Sequence, residues 1–351
     1  MRVMDQVTVR SDGCVMLGSL VTCDGFARSA PYRVQTHVHH DHMTDFELSK
    51  GCQKEIICSK ATYNLLIAEF NADLPYRKRQ FRIIENLPDS VQLDGVRIWL
   101  YPSGHMVGSA MVIAEYPSGF RCAYTSDFDW PLFSLPTDID VLVVDATYGD
   151  PSLQRRFAKR DAVDALRSVV RELITRGSVV VTGYRGRLHY AAQVLAGTCN
   201  VPFHGTKNVT KTFSTYADML GIDGTRVMPL SRGDVRALRN SAGRHSIIFV
   251  EARDSDMLLE LGDFQKVILS AFMTPKEEPV LRHANDSVRV ALTDHADFSG
   301  TISLIKGIQP RKVIADGSRG GNADALAQFV RVELGIDACS DVEEKSFSWG
   351  G

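Results

Sequence analysis

No run of about 18 uninterrupted apolar residues occurs in the chain, which argues against a transmembrane helix. The opening MRVMDQVTVRSDG holds no apolar stretch of signal-peptide length, so the expectation is a soluble, cytoplasmic protein with no membrane partner. The seven cysteines (Cys14, Cys23, Cys52, Cys58, Cys122, Cys199, Cys339) are odd in number and scattered, with no C-x-x-C pair. That spacing opposes a disulfide framework or a cysteine-zinc site and favours reduced, packed thiols. Neither sign of charge is in marked excess, the formal net charge being -2. A wholesale polycation for nucleic acid is therefore excluded, although a local basic patch is not. Internal repeats and low-complexity tracts are missing as well.

What is present is an ordinary globular composition, 44% hydrophobic and 23% charged, in 351 residues, enough for one large α/β domain or two units. Strands are expected at Val15–Thr22, Arg33–Thr36, Glu55–Cys58, Val96–Tyr101, Ala110–Glu115 and Arg121–Thr125, with a helix over Ser59–Phe70. Asp140–Asp145 (DVLVVD) reads as a strand buried on both faces. After the turn Tyr148–Pro151, a helix (Arg160–Arg176), a strand (Ser178–Thr182), a loop (GYRGR) and a helix (Leu188–Leu195) suggest a parallel α/β unit of its own. The strand Val267–Phe272 is expected to lead back to the first sheet. Val288–Thr293, the helix Ser299–Ile308, the strand Lys312–Ala315 and the helix Ala323–Leu334 complete it.

The chemistry concentrates in Thr36-His37-Val38-His39-His40-Asp41-His42, directly after a predicted strand. Side chains two apart in extended backbone point the same way, so His37 and His39 can converge on one ion. Asp41 and His42, in the turn beyond, can face a second. Imidazole and carboxylate are suitable zinc ligands, and a loop at a strand end holds them rigidly yet open to substrate. Such a site needs more nitrogen and a shared carboxylate. His105, in GHMVGS after a strand, can supply the first. Asp127, in TSDFD at another strand end, can supply the second ahead of its neighbour Asp129. Two ions so held would activate water and stabilise charge developing on a phosphate or carbonyl oxygen.

With these residues the sequence resembles the metallo-β-lactamase superfamily, whose H-x-H-x-D-H signature is matched by His37, His39, Asp41 and His42. Asp24 in TCDG resembles the family's structural aspartate, and His105 and Asp127 match the later metal positions. Asp145-Ala-Thr-Tyr-Gly and Thr293-Asp-His-Ala-Asp-Phe298 resemble segments of the β-CASP nucleases. The resemblance covers the chain from about Asp24 to Phe329. Its short second unit is similar to that of exonucleases associated with bacterial DNA ligases. It implies an α/β fold, a metallo-β-lactamase αββα sandwich with a small inserted β-CASP-like α/β domain. The first part would be 1–151, the insertion 152–264 and the second part 265–351.

The resemblance also implies roles. Two zinc ions, with manganese as an alternative, would be held by His37, His39, Asp41, His42, His105, Asp127 and Asp316. Asp316 stands where the family has a histidine, which makes the second ion the uncertain one. Ser126 replaces a glycine common before the shared aspartate, a change expected to be tolerated. Asp41, His295 and Asp145 are the candidate catalytic residues, with His295 as general acid beside the Asp145 carboxylate. For substrate phosphate the candidates are Arg185 and Arg187 in GYRGR, at a strand-to-helix junction, with Ser109 and Ser318.

The expected function is a metal-dependent nuclease, with DNA exonuclease ahead of RNA nuclease and nucleic acid as partner. The alternatives are a small-molecule thioester or lactone hydrolase of the same fold, and a non-catalytic nucleic-acid-binding protein.

Overall fold

The computed structural model describes residues 6–70, 78–220, 227–240, 245–271, 276–284 and 287–340. The chain divides into two compact units, Met1–Gln154 with His295–Gly351, and Arg155–Asp294. Both are mixed α/β. Among the described residues no helix is long and apolar enough to cross a membrane.

The first unit holds two sheets. One is six-stranded, in the order Val7–Val9, Val15–Leu17, Val21–Cys23, Tyr32–Val34, Glu55–Ser59, Phe81–Ile84. The other is seven-stranded, in the order Asp337–Ser340, Lys312–Asp316, Val141–Asp145, Arg121–Tyr124, Ala110–Glu115, Val96–Pro102, Asp89–Leu93. Alternation along the strands aims one set of side chains at a shared core. Val15, Leu17, Val34 and Ile57 of the first sheet meet Ile98, Leu100, Val112 and Val143 of the second there. The opposite face of the second sheet, with Ile113, Ala123, Leu142, Val144 and Val313, packs on the helices Phe298–Ile308 and Ala323–Leu334. Val141–Asp145 lies between two parallel neighbours, and its Leu142, Val143 and Val144 are fully buried. That is why its sequence reads as an unbroken apolar run.

The second unit is a seven-stranded sheet in the order Val227–Pro229, Phe203–Gly205, Ile247–Glu251, Val179–Gly183, Gln265–Leu269, Ser287–Val290, Val280–Arg282. Every pairing is parallel except the last. Val179, Val181, Ile247 and Phe249 bury one face against Leu166, Val170, Leu188 and Phe213 of the helices. Val180, Ile248 and Val250 bury the other with Val235 and Leu261.

Three expectations need correction. Val15–Thr22 is two strands of a hairpin, because Gly18 takes a left-handed φ of 70° and turns the chain. The GYRGR loop is shorter than expected: Arg185 already opens the helix Arg185–Ala196. The strands expected to return to the first sheet after Phe264 belong to the second unit. Gln265–Leu269 pairs with Val179–Gly183, and Ser287–Val290 pairs with Gln265–Leu269. The second unit thus runs to Asp294. A buried parallel strand carries no mark of which sheet receives it, since both of its faces are apolar in either place. Phe272, the end of the expected strand, lies outside the described residues.

Candidate metal centre

Strand Tyr32–Val34 ends in extended backbone that carries His37 and His39, and His40–His42 forms a single 3-10 turn. A buried polar frame holds this segment. The Arg33 guanidinium donates to Gln35 Oε1 at 2.7 and 3.0 Å, to the Thr44 carbonyl at 2.8 Å and to the His42 carbonyl at 3.1 Å. The Gln35 amide then donates to the carbonyls of His37 (2.6 Å) and His42 (3.0 Å). Burial pushes the Arg33 pKa down to about 10, still high enough for it to stay charged at neutral pH.

Asp24 sits beneath, fully buried, with a left-handed φ of 54°. Its Oδ1 accepts from Thr36 N (2.9 Å) and Gln35 Nε2 (3.3 Å), and its Oδ2 from Thr36 Oγ1 (2.6 Å). His42 Nδ1 lies 2.7 Å from the same Oδ2. With that proton committed, His42 presents Nε2 on the other side, 3.2 Å from Asp127 Oδ1. Thr36 gives its hydroxyl proton to Asp24, so it can accept from His37 Nδ1 at 3.0 Å, which leaves Nε2 of that ring as a lone-pair donor.

His105 arrives from a turn at Gly104 (φ 74°). The rings of His37, His39 and His105 form a near-equilateral triangle, with centroids 4.8, 4.9 and 4.8 Å apart and planes steeply crossed. The Asp127 carboxylate lies among four imidazoles. The separations are 3.7 Å to His37, 3.2 Å to His42, 3.4 Å to His105 and 3.7 Å to His295. Burial alone would raise its pKa, but His42, His295 and His105 outweigh that and hold it well below the usual carboxylate range. Burial pushes His37 well down, with the neighbouring imidazoles adding to the effect. Burial would lower His42 too, yet the Asp127 and Asp24 carboxylates win and push it up to about 9.

Several groups of the described residues could hold a divalent ion; the fullest is His37, His39, His105 and Asp127, and smaller ones include Asp24, His37 and His42, and Asp127, Asp145 and His295. Ligand atoms of His37, His39, His105 and Asp127 lie within 4.8 Å of one another. His37 Nε2 is buried with no hydrogen-bond partner, which a native interior rarely tolerates without a ligand for the lone pair. An ionised carboxylate and a neutral imidazole are the states that a ligand requires. Beside the cluster, His295 Nδ1 lies 3.0 Å from Asp145 Oδ2, and Asp145 Oδ1 accepts from Thr147 N (2.8 Å) and Oγ1 (2.7 Å). The His295 and His105 rings are 4.7 Å apart.

The structure does not treat the other candidates alike. Asp41 is near, with its Oδ2 3.9 Å from His42 Nε2, but its side chain is 61% exposed. Asp129 stands aside from the cluster, and its Oδ1 accepts from Trp130 N. Asp316 pairs in register with Asp145 but enters no ligand cluster among the described residues. Its Oδ1 accepts from Ser318 N (2.9 Å) and Oγ (2.5 Å), and its Oδ2 faces Arg319 Nη1 at 3.3 Å. Ser109 is buried and closes its own loop, donating to the Met106 carbonyl and accepting from Met106 N. Arg185 pairs with Glu251 (2.7 Å) and Arg187 with Asp294 (2.5 Å), both within the second unit. Both expected phosphate contacts are thus engaged with buried carboxylates of their own unit. Ser126 takes a left-handed φ of 53°, the conformation that a glycine would favour, and its hydroxyl meets Thr36 Oγ1 at 2.7 Å.

Sequence reasoning passed over Arg319. Its guanidinium reaches the Asp41 carbonyl, the Tyr124 hydroxyl, Asp316 and the Gly13 carbonyl. The signal was a lone basic residue in DGSRGG, three positions beyond Asp316.

An uncharacterised protein in the lig 3′ region of Acidianus ambivalens is 35% identical over 107 residues, covering 30% of this chain and 75% of that protein. The chain belongs to that protein's family. At lower identity it matches an RNase J-like protein of Methanocaldococcus jannaschii, 25% over 166 residues, covering 42% of this chain and 38% of the relative. It also matches Endoribonuclease YSH1 of Mycosarcoma maydis, 27% over 176 residues, covering 42% of this chain and 20% of the relative. These two matches support the metallo-β-lactamase superfamily. No protein-family model matches the chain. A solved protein of unknown function from Enterococcus faecalis V583 shares the fold at a TM-score of 0.52 and 13% identity, over 81% of this chain and 74% of that one.

Proposed function

We propose that this chain is a metal-dependent nuclease of the metallo-β-lactamase superfamily, its first unit the αββα sandwich and its second unit a β-CASP-like insertion. The observation that carries the reading is the triangle of His37, His39 and His105 closed by Asp127, with the His295–Asp145 pair beside it. Two names among the distant relatives, an RNase J-like protein and an endoribonuclease, support hydrolysis of nucleic acid. The chain spans 38% and 20% of those proteins, so their whole activities are not carried over.

His37, His39, His105 and Asp127 would hold the ion, and three imidazoles with one carboxylate suit zinc. When bound, such an ion supplies Lewis acidity toward a phosphoryl oxygen and toward water. The chain's own residues do the rest. Asp24 and Thr36 fix the direction of the His42 and His37 rings. Asp127 concentrates negative charge at the centre. Asp145 holds the His295 ring by Nδ1, so that Nε2 can hand a proton to the departing sugar oxygen.

The DNA exonuclease reading rests on the resemblance of the Asp145 and His295 segments and of the short second unit. The relatives' names concern RNA, so both polymers belong in the assay. Labelled single- and double-stranded RNA and DNA, beside a generic thioester, should be offered to purified protein with added zinc or manganese. Cleavage of a polynucleotide, abolished in His37→Ala and Asp127→Ala, is expected. Thioester turnover alone would assign the small-molecule rival, and binding without cleavage would assign the non-catalytic one.

A further inference from the structure

The Arg319 side chain occupies an unusual place. It is 13% exposed and is drawn to acceptors from four separate stretches of sequence. Nε donates to the Asp41 carbonyl at 3.1 Å, and Nη1 to the Tyr124 hydroxyl at 3.0 Å and to Asp316 Oδ2 at 3.3 Å. Nη2 donates to the Gly13 carbonyl. Gly13 has a left-handed φ of 83°, and a Cβ there would lie 2.9 Å from Nη2, so a side chain at this position would push the guanidinium aside.

This cation lies against the very turn that carries Asp41 and His42. On the reading above, Asp316 is the last ligand of a second ion, and here the fit fails. Asp316 Oδ1 accepts twice from Ser318, and its Oδ2 is paired with the Arg319 guanidinium instead of standing open toward His42. What remains of a second position is His42 Nε2, the Oδ1 of Asp127 and the largely exposed Asp41. A second divalent ion would have at most those three protein ligands, with Asp316 held by its own partners, and would sit beside a positive charge that opposes its binding.

We propose that the chain binds a single divalent ion, at His37, His39, His105 and Asp127, and that the Arg319 guanidinium replaces the second ion as a built-in positive charge. A guanidinium fixed by its own hydrogen bonds acts on nearby negative charge through its field and not by direct donation, and needs no metal affinity to do so. The proposal rests on the metal-dependent reading, and the test separates the two.

Full-length protein is reconstituted with excess manganese, desalted, and its metal counted by mass spectrometry, with the manganese electron-paramagnetic-resonance spectrum recorded alongside. Wild type should retain about one equivalent and give an uncoupled six-line spectrum, and His37→Ala should fall well below it. The paired change Asp316→His with Arg319→Ala restores a ligand and removes the cation. It should raise the count toward about two equivalents and produce a spin-coupled signal. Two tight equivalents in wild type would overturn the proposal, whichever variants fold. A doubly substituted protein that folds, by circular dichroism, but stays at one equivalent would overturn the role given to Arg319. No retained metal in wild type would instead refute the metal-dependent reading itself.

Discussion

Replacing Asp24 by asparagine tests whether this buried carboxylate organises the centre. Asparagine has nearly the same shape and tolerates the left-handed backbone (φ 54°) that Asp24 adopts, so neither packing nor strain should change. What changes is the hydrogen bonding. An acceptor-only group is exchanged for one with a donor face. If the new amide nitrogen points as Oδ2 does now, it opposes the Thr36 hydroxyl and His42 Nδ1. If it points as Oδ1 does, it opposes Thr36 N–H and the Gln35 amide. Either way about two buried donors lose their acceptor, at about 1–3 kcal/mol each, so unfolding free energy should fall by about 2–6 kcal/mol. His42 loses the partner that sets its ring direction. Loss of such an outer partner weakens metal affinity by about 10–100-fold. Urea unfolding gives the first quantity, and competition with a calibrated chelator gives the second. An Asp24→Asn protein with wild-type stability and wild-type metal affinity would refute the view that Asp24 holds the centre together.

Other substitutions probe the rest of the molecule. Arg187→Ala should destabilise the protein by about 3–5 kcal/mol, because it strands the buried Asp294 carboxylate. Unchanged urea stability together with lost nucleic-acid binding would restore the phosphate-binding role instead. His295→Asn should lower kcat by about 10²–10⁴-fold with metal content unchanged, and Asp145→Asn should lower it less; loss of metal in either would show that the pair belongs to the ligand set. His189 is stacked on Tyr216 at 3.8 Å and buried, and burial pushes its pKa down from 6.5 to about 4. The unfolded chain then takes up a proton near pH 6.5 that the folded chain refuses until about pH 4. Stability from this group is therefore complete above pH 6.5 and lost as pH falls toward about 4, by about 3 kcal/mol in all. His189→Gln should lack that part of the pH dependence of unfolding, and an identical profile in both proteins would refute it.

Much of the first unit was legible because its signals are local. Ala110–Glu115 and Ala323–Leu334 begin and end where their sequence patterns do, and Val141–Asp145 differs by one residue. Errors gathered where local pattern is silent. The strands after Phe264 join the second unit's sheet and not the first, a choice the sequence does not mark because apolar periodicity reports burial and not the neighbour. The first turn of the helix at Arg185 carries no helical mark in the sequence, because a glycine between two arginines resembles a turn.

By itself the sequence determined that His37, His39, Asp41 and His42 share one turn after a strand. Spacing along an extended chain dictates which side chains point together, and no tertiary contact is needed for that. It also pointed to His105, Asp127 and the His295–Asp145 pair as companions. Only the tertiary structure decided how charge is distributed among them. It brought Asp127 among four imidazoles, turned Arg185 and Arg187 toward Glu251 and Asp294, and set Arg319 against Asp316 and the Asp41 turn. The physical reason is that an ion pair or a buried hydrogen bond joins groups far apart in the chain. Its partner is chosen by the packing of sheets and loops, and sequence spacing carries no record of that choice.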